Sequence, residues 1–167
     1  MSPQPEQLSE TEEHLLRRAI ELSAQAVANG NLPFGALFAD ADGNILLEAE
    51  TTGTSDGNVL YHAETNLMHD AIGALTDEER ASGTLYSSCE PCPMCAGTIY
   101  WGGVSRVVFG LGERSLYEIA GAQSTTPVAI FGGCRLILEG GTRDIEVIGP
   151  CLEVEAAVAH EGRWVDW

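Results

Sequence analysis

Two short motifs contain side chains with the types and spacing of a catalytic metal site. The first, H-x-E, places an imidazole at His62 and a carboxylate at Glu64, and the second, P-C-x-x-C, places thiols at Cys92 and Cys95. One imidazole nitrogen and two thiolates form a ligand set that suits Zn²⁺. Three protein ligands leave the fourth tetrahedral position open to water, as catalytic zinc sites do. The spacing therefore predicts a catalytic zinc site at His62, Cys92 and Cys95.

The charge of this ligand set indicates a role for Glu64. Two thiolates cancel the charge of Zn²⁺, so water at the site should be acidified less than in a three-histidine site, where its pKa falls to about 7. A nearby base is then useful. Glu64 could take a proton from water, deliver it to a ring nitrogen of the substrate, and later protonate the departing amine. The predicted chemistry is hydrolytic removal of an amino group from a ring carbon, with release of ammonia.

Other interpretations of the same residues remain open. A structural zinc site could use Cys89 as a fourth ligand, although nothing in such a site needs the carboxylate of Glu64. Two buried free cysteines near a surface histidine are a second alternative. We expect His69 to be a hydrogen-bonded side chain rather than a ligand, and His14 and His160, which fall in terminal helices, to face solvent.

Length and composition predict one domain over residues 1–167. A hydrophobic content of 44% in 167 residues is enough to bury a core. No stretch approaches the roughly 18 to 20 consecutive apolar residues of a membrane span, and residues 1–13 are polar and acidic. Three of the five cysteines have a spacing better suited to metal than to disulfides. We expect a cytoplasmic protein without a membrane partner, ending in an aromatic tail at 161–167.

The charge of the chain bears on its substrate. Eight basic residues against 25 acidic residues give a net charge of −17. Such a charge opposes the approach of a polyphosphate and favours a small substrate without phosphates. Nucleic acid is therefore disfavoured as a partner, and a small heterocyclic base is favoured.

The elements that must position these residues can be read from the hydrophobic pattern. A capping box at Ser9 and Glu12 starts a helix over about 10–29, and the Asp-Gly-Asn turn at 42–44 joins two antiparallel strands. The remaining predicted strands are 84–88, 104–110 and 145–148, and the remaining predicted helices are 62–75, 92–101, 113–120 and 152–160. Residues 121–143 are glycine-rich and are not assigned. The alternation predicts a three-layer α/β/α domain with a five-stranded mixed sheet.

Both motifs fall at predicted helix starts. Pro91 is well placed to start a helix, which would put Cys92 and Cys95 on one face, one turn apart. Free amides and the dipole at a helix start lower the pKa of nearby thiols, which favours thiolate ligands. With His62 at the start of a second helix, two helix N-termini can converge on one ion at the carboxyl ends of parallel strands.

The motifs resemble the cytidine deaminase superfamily, whose members carry H-x-E and P-C-x-x-C. The longer run 88–101, S-C-E-P-C-P-M-C-A-G-T-I-Y-W, and P-F-G-A at 33–36 are similar to the bacterial guanine deaminase and nucleoside deaminase branch. The likeness covers about 10–122. It implies a cytidine deaminase-like fold, a homodimer, His62, Cys92 and Cys95 as zinc ligands, and Glu64 as the proton shuttle.

The resemblance also implies substrate contacts. Phe34 and Trp101 would line the pocket, where aromatic walls suit a flat heterocycle, and the backbone amide of Ala63 would face a substrate carbonyl. Ordinary core packing is the alternative for both aromatic rings.

Departures from the branch weaken the case for guanine itself. The branch usually has asparagine where this chain has Thr51, and guanine deaminases place acidic residues where this chain has Gln123 and Ser124. Glutamine and serine pair more weakly than a carboxylate with the N–H donors of guanine. Guanine is then one purine candidate among several substrates, unless Glu113 or Glu118 replaces the missing acid.

The sequence thus predicts a zinc-dependent hydrolytic deaminase of a free amino-substituted heterocycle such as guanine, isoguanine, cytosine or an aminotriazine, or of a nucleoside of these. The alternatives are a tRNA adenosine deaminase and a zinc-stabilised binding module without catalysis. The tail carries Trp164 and Trp167, which we expect to be buried. They either close an active site, in this chain or in a partner subunit, or pack on their own sheet.

Overall fold

A mixed sheet of five strands forms the centre of the molecule. The computed structural model describes residues 8–121 and 130–164. The strands are β1 (Gly35–Ala39), β2 (Ile45–Glu50), β3 (Thr84–Cys89), β4 (Arg106–Leu111) and β5 (Glu146–Ile148), in the order β2-β1-β3-β4-β5. Strand β1 pairs antiparallel with β2 and β3, whereas β3, β4 and β5 run parallel. The predicted five-stranded mixed sheet is confirmed.

Helices cover both faces of this sheet. They are α1 (Glu10–Ala28), α2 (Ala63–Ala74), α3 (Asp77–Ser82), α4 (Pro93–Trp101), α5 (Glu113–Ala120), α6 (Gly133–Leu138) and α7 (Glu153–Ala157), followed by a 3₁₀ turn at Val158–His160. The capping box that predicts α1 is present, since Ser9 accepts from the amide of Glu12 and the Glu12 carboxylate accepts from the amide of Ser9. No helix in the described parts of the chain combines the length and apolar character needed to cross a bilayer.

The alternation of side chains along the strands separates two layers of core. On one face, Phe38 and Phe109 pack with Leu67 of α2 and Ile99 of α4. On the other face, strand residues pack with the apolar stripe of α1; this set includes Leu16, Leu22, Leu37, Tyr86 and Val108. Successive strand residues point to opposite faces, so neighbours such as Leu37 and Phe38 serve different layers. The three-layer α/β/α architecture is confirmed.

Two helices were not predicted from periodicity. Helix α3 is short and polar, so it has no apolar repeat, and its sequence signal is a capping box between Thr76 and Glu79. Helix α6 lies inside the glycine-rich region left unassigned and packs against α4. The last predicted helix is divided into α7 and the 3₁₀ turn.

Candidate active site

Two helix N-termini meet at the metal-binding motifs. His62 is the N-cap residue of α2 and Cys92 is the N-cap residue of α4, and neither side chain caps its own helix. Both side chains are therefore free to turn toward a common point. The proline in the first turn of α4 is Pro93 rather than the Pro91 expected from the sequence, and the helix begins one residue later than the predicted 92–101. Cys95 follows one turn into the helix and is buried.

The three predicted ligands have the spacing of a tetrahedral zinc site. Nδ1 of His62 lies 3.7 Å from Sγ of Cys92 and 3.5 Å from Sγ of Cys95, and the two sulfurs are 3.6 Å apart. Zinc–nitrogen and zinc–sulfur bonds of ordinary length at tetrahedral angles would separate these atoms by about 3.6 and 3.8 Å. The residues present therefore fit Zn²⁺.

Cys89 lies outside this ligand set. Among the residues that the structure describes, the group able to hold a metal consists of His62, Cys92 and Cys95. Cys89 is 1% exposed, and burial raises the pKa of its thiol well above its usual range. Within the ligand set, the hydrogen bond between the two thiols lowers the pKa of Cys92 to about 4 and raises that of Cys95 well above its usual range. The set leaves one tetrahedral position to a non-protein ligand, which is typical of catalytic zinc rather than structural zinc.

Glu64 lies in the first turn of α2 beside the ligands. Its side chain is 4% exposed, Oε1 accepts a hydrogen bond of 2.8 Å from Oγ of Ser87, and Oε2 is 3.5 Å from Sγ of Cys95. Burial raises the pKa of Glu64 above its usual range. Ser87 belongs to β3 and was not predicted, since β3 also buries Thr84 and Ser88 and its sequence does not show which hydroxyl meets Glu64.

A small cavity adjoins the ligands. Its wall includes His62 and Cys92, the carboxylates of Glu64, Glu90 and Glu113, and the side chains of Phe34, Cys89 and Leu116. The volume of about 60 Å³ has room for roughly two water molecules at the density of the liquid. Phe34 supplies the aromatic part of this wall.

Two of these carboxylates hold the wall together through backbone amides. Glu90 accepts from the amide of Glu113 at 3.0 Å and from that of Cys134 at 3.2 Å. Glu113 accepts from the amides of Ile130 and Gly133 at 2.8 and 3.0 Å, and burial raises its pKa. Glu113 and Glu118 are the two possible replacements for the missing guanine-binding acid, and of these Glu113 lines the cavity.

Not every predicted substrate contact lies at this cavity. Phe34 lines it, and Ala63 is the buried first residue of α2. The hydroxyl of Thr51 instead donates to the carbonyl of Tyr61 at 2.9 Å, outside the cavity wall. Gln123 and Ser124 lie outside the described residues.

Trp101 is also absent from the cavity wall formed by this chain. It is 86% exposed and packs edge-on against Tyr100. Trp101 is the last residue of α4, whereas Cys92 and Cys95 lie at the start of that helix. Nine residues of helix span roughly 13 Å, so Trp101 lies too far from the ligands to line the cavity.

The histidines outside the motifs behave differently from one another. His69 is 89% exposed and lies 3.3 Å from Asp70, outside the ligand set, and His14 is exposed as expected.

The expectation that His160 faces solvent is wrong, because His160 is 0% exposed. The 3₁₀ turn folds the chain end back onto the core, where the rings of His160 and Trp164 stack. Trp164 is buried as expected, whereas Trp167 lies outside the described residues.

The α/β/α fold, the three-ligand set and the buried Glu64 together define a zinc-dependent hydrolase of the deaminase class. The cytidine and deoxycytidylate deaminase zinc-binding region matches residues 9–111, and the chain belongs to this family.

Three relatives illustrate the range of the family. A probable cytosine deaminase of Schizosaccharomyces pombe is 38% identical over 160 residues, which cover 95% of each chain. A tRNA-specific adenosine deaminase of Haemophilus influenzae is 33% identical over 105 residues, 63% of this chain and 61% of that protein. The structure of a guanine deaminase from Nitrosomonas europaea superimposes with a TM-score of 0.72 over 95% of this chain and 86% of the other, at 21% identity, and supports the fold alone.

Proposed function

We propose that this deaminase acts on a free amino-substituted nucleobase, with cytosine as the first candidate and guanine, isoguanine and aminotriazines behind it. The observation that carries the proposal is the buried Glu64 carboxylate beside the His62, Cys92 and Cys95 ligand set. Cytosine is supported by the relative that matches nearly the whole chain.

The residues of the site account for the proton transfers of such a reaction. His62, Cys92 and Cys95 would hold zinc, which when bound would supply a Lewis acid for the water that attacks the ring. Glu64 accepts one proton from that water and delivers it to the ring nitrogen next to the amino-bearing carbon. The same carboxylate then carries the second proton to the leaving amino group. The C–O bond forms, the C–N bond breaks, and cytosine and water give uracil and ammonia.

The neighbouring groups can bind and orient the ring during these transfers. The amide of Ala63 is in the first turn of α2, where backbone N–H groups have no intrahelical acceptor, and can donate to a ring carbonyl. Phe34 provides an aromatic wall. Ser87 holds the carboxylate of Glu64 in place.

The charge of the cavity favours a substrate without phosphate. Glu64, Glu90 and Glu113 line it, and no basic residue other than His62 is part of its described wall. Carboxylates accept hydrogen bonds from amino and imino groups and repel phosphates. The same argument, with the net charge of −17, opposes tRNA as the substrate.

An exposed apolar patch supports a homodimer. Leu60 is 57% exposed, Tyr61 43%, Met94 36% and Trp101 86%. Leu60, Tyr61 and Met94 line one cleft of about 680 Å³, and Met94 and Trp101 lie on the same face of α4 by helical spacing. Leu60, Tyr61 and Met94 thus bring exposed apolar side chains together at a cleft that is otherwise largely polar, and we propose a second copy of the chain as the partner.

We also propose a cytoplasmic location. Cys89 and Cys134 carry free thiols, and Cys92 and Cys95 are metal ligands rather than disulfide partners, as is usual in a reducing compartment.

Ammonia release from a panel of compounds tests the proposed substrate. The panel contains cytosine, guanine, isoguanine, an aminotriazine, cytidine and a tRNA, each supplied to the zinc-loaded protein. The proposal expects release from cytosine above all others. Salt-sensitive conversion of adenosine in the tRNA, without release from the free bases, would instead establish the tRNA alternative.

A further inference from the structure

His160 is a fully buried titratable side chain outside the metal site. It is 0% exposed, and neither of its ring nitrogens has a hydrogen-bond partner among the described residues. Its ring stacks on the ring of Trp164 with centroids 6.0 Å apart and an interplanar angle of 7°. The neutral imidazole of His160 therefore stabilises this region by packing rather than by hydrogen bonding. Its cationic form would be a buried charge with no hydrogen-bond acceptor, which is unfavourable.

The stack of His160 and Trp164 supports one wall of the active-site cavity. Phe34 meets the ring of His160 edge-on at 5.2 Å and the ring of Trp164 at 6.2 Å. Phe34 also lines the cavity with His62 and Glu64. This wall of the cavity is therefore supported by the C-terminal segment.

The described rings that contact His160 are the aromatic side chains of Phe34 and Trp164. The 3₁₀ turn packs against α1, α5 and α7. The cluster that contains Trp164 consists of apolar side chains and Cys89, whose pKa is raised by burial so that the thiol stays neutral. Arg17 of α1 and Glu155 of α7 pair with each other at the surface.

Other acids near Phe34 do not alter this environment. Glu113 of α5, together with Glu64 and Glu90, shares the cavity wall with Phe34. None of these carboxylates contributes to the pKa of His160, which burial alone lowers to about 4.

We propose that His160 is a positioning residue: its neutral ring holds Trp164 against Phe34, and protonation of that ring releases Trp164 and loosens the cavity wall. A solvated histidine has a pKa near 6.5, and burial lowers the pKa of His160 to about 4 in the packed arrangement. Protonation therefore favours the released arrangement, in which the ring is solvated. The packed arrangement is fully favoured above about pH 6.5 and loses its advantage as the pH falls toward 4. Between pH 7.5 and pH 5 the packed-to-released ratio falls on the order of 30-fold.

Fluorescence of Trp164 tests the proposal without reference to turnover. The chain has three tryptophans, so Trp101→Phe and Trp167→Phe together leave Trp164 as the sole emitter. Acrylamide quenching of the zinc-loaded protein is measured from pH 7.5 to pH 5, with zinc content checked at each pH. We expect quenching to rise reversibly as the pH falls below about 6.5, and constant quenching over this range would overturn the proposal.

Variants of His160 separate titration from packing. His160→Phe keeps an aromatic ring without a titrating proton and should abolish the transition, whereas the exposed control His14→Phe should leave it unchanged. His160→Gln should give high quenching that does not depend on pH. A transition that persists in His160→Phe or in His160→Gln would contradict the proposal.

The consequence for catalysis rests on the proposed function. Loosening the Phe34 wall should raise KM for cytosine on the acid side in the parent protein and not in His160→Phe, with kcat changed less than KM. If no compound is deaminated but the fluorescence transition follows His160, the substrate proposal fails and the positioning role stands. If deamination occurs with the same pH dependence of KM in both proteins, the positioning role fails.

Discussion

The hydroxyl of Ser87 donates a 2.8 Å hydrogen bond to Oε1 of Glu64, in a position where both side chains are buried. The bond joins strand β3 to the first turn of α2 and leaves Oε2 of Glu64 facing the thiol of Cys95. One oxygen of the carboxylate is thus fixed while the other faces the metal ligands. The carboxylate is in this way held where the proposed mechanism requires it to move protons.

Replacement of Ser87 by alanine should lower kcat by about 10-fold while the fold and zinc content are kept. A hydrogen bond to a charged group contributes about 1.5–3 kcal/mol, and part of that value should be lost from the positioning of Glu64. Steady-state kinetics and zinc analysis check this. Ser82→Ala, at an exposed serine, is the control and should behave as the parent. An unchanged kcat in Ser87→Ala would remove Ser87 from the mechanism.

Substitution of the cysteines should distinguish ligands from neighbours. Cys92→Ser and Cys95→Ser each remove one of three protein ligands and should lower the zinc content of purified protein to well below half of one equivalent. Cys89→Ser should keep zinc, because Cys89 lies outside the ligand set. Metal analysis of the three variants checks the assignment. Loss of zinc from Cys89→Ser in a folded protein would revive a structural site with four protein ligands.

A lysine at Trp101 should dissociate the proposed dimer. Trp101 is 86% exposed at the end of α4, and a buried lysine charge without a partner in an interface is costly. Size-exclusion chromatography with light scattering should give a dimer for the parent and a monomer for Trp101→Lys. Val154→Lys, at a residue 85% exposed on α7, is the matched control and should remain dimeric. A monomeric parent would refute the dimer.

The metal site could be predicted from sequence because its signals are local. His62 and Glu64 share one motif, Cys92 and Cys95 share another, and each motif begins a helix. The convergence of the two motifs follows from parallel strands that end at the same edge of a sheet. Ser87 was not predicted, because its role depends on a neighbouring helix rather than on its own surroundings in the sequence.

The wall of the cavity was less predictable than the metal site. His160 was expected to face solvent because it is polar and near the chain end, but the 3₁₀ turn returns it to an apolar cluster. Trp101 was expected in the wall from resemblance, and helix length separates it from the ligands within this chain. These positions depend on how distant segments fold onto the site, and no local pattern carries that information.

Parallel measurement of uracil and ammonia from cytosine, using zinc-loaded parent protein and Glu64→Gln, tests the central claim most directly. Glutamine preserves the size of the side chain and cannot act as a base, so the variant should keep its fold and zinc. The account predicts equal amounts of uracil and ammonia from the parent, and a loss on the order of 10² or more in turnover from Glu64→Gln. Undiminished turnover in a zinc-loaded Glu64→Gln protein would contradict it.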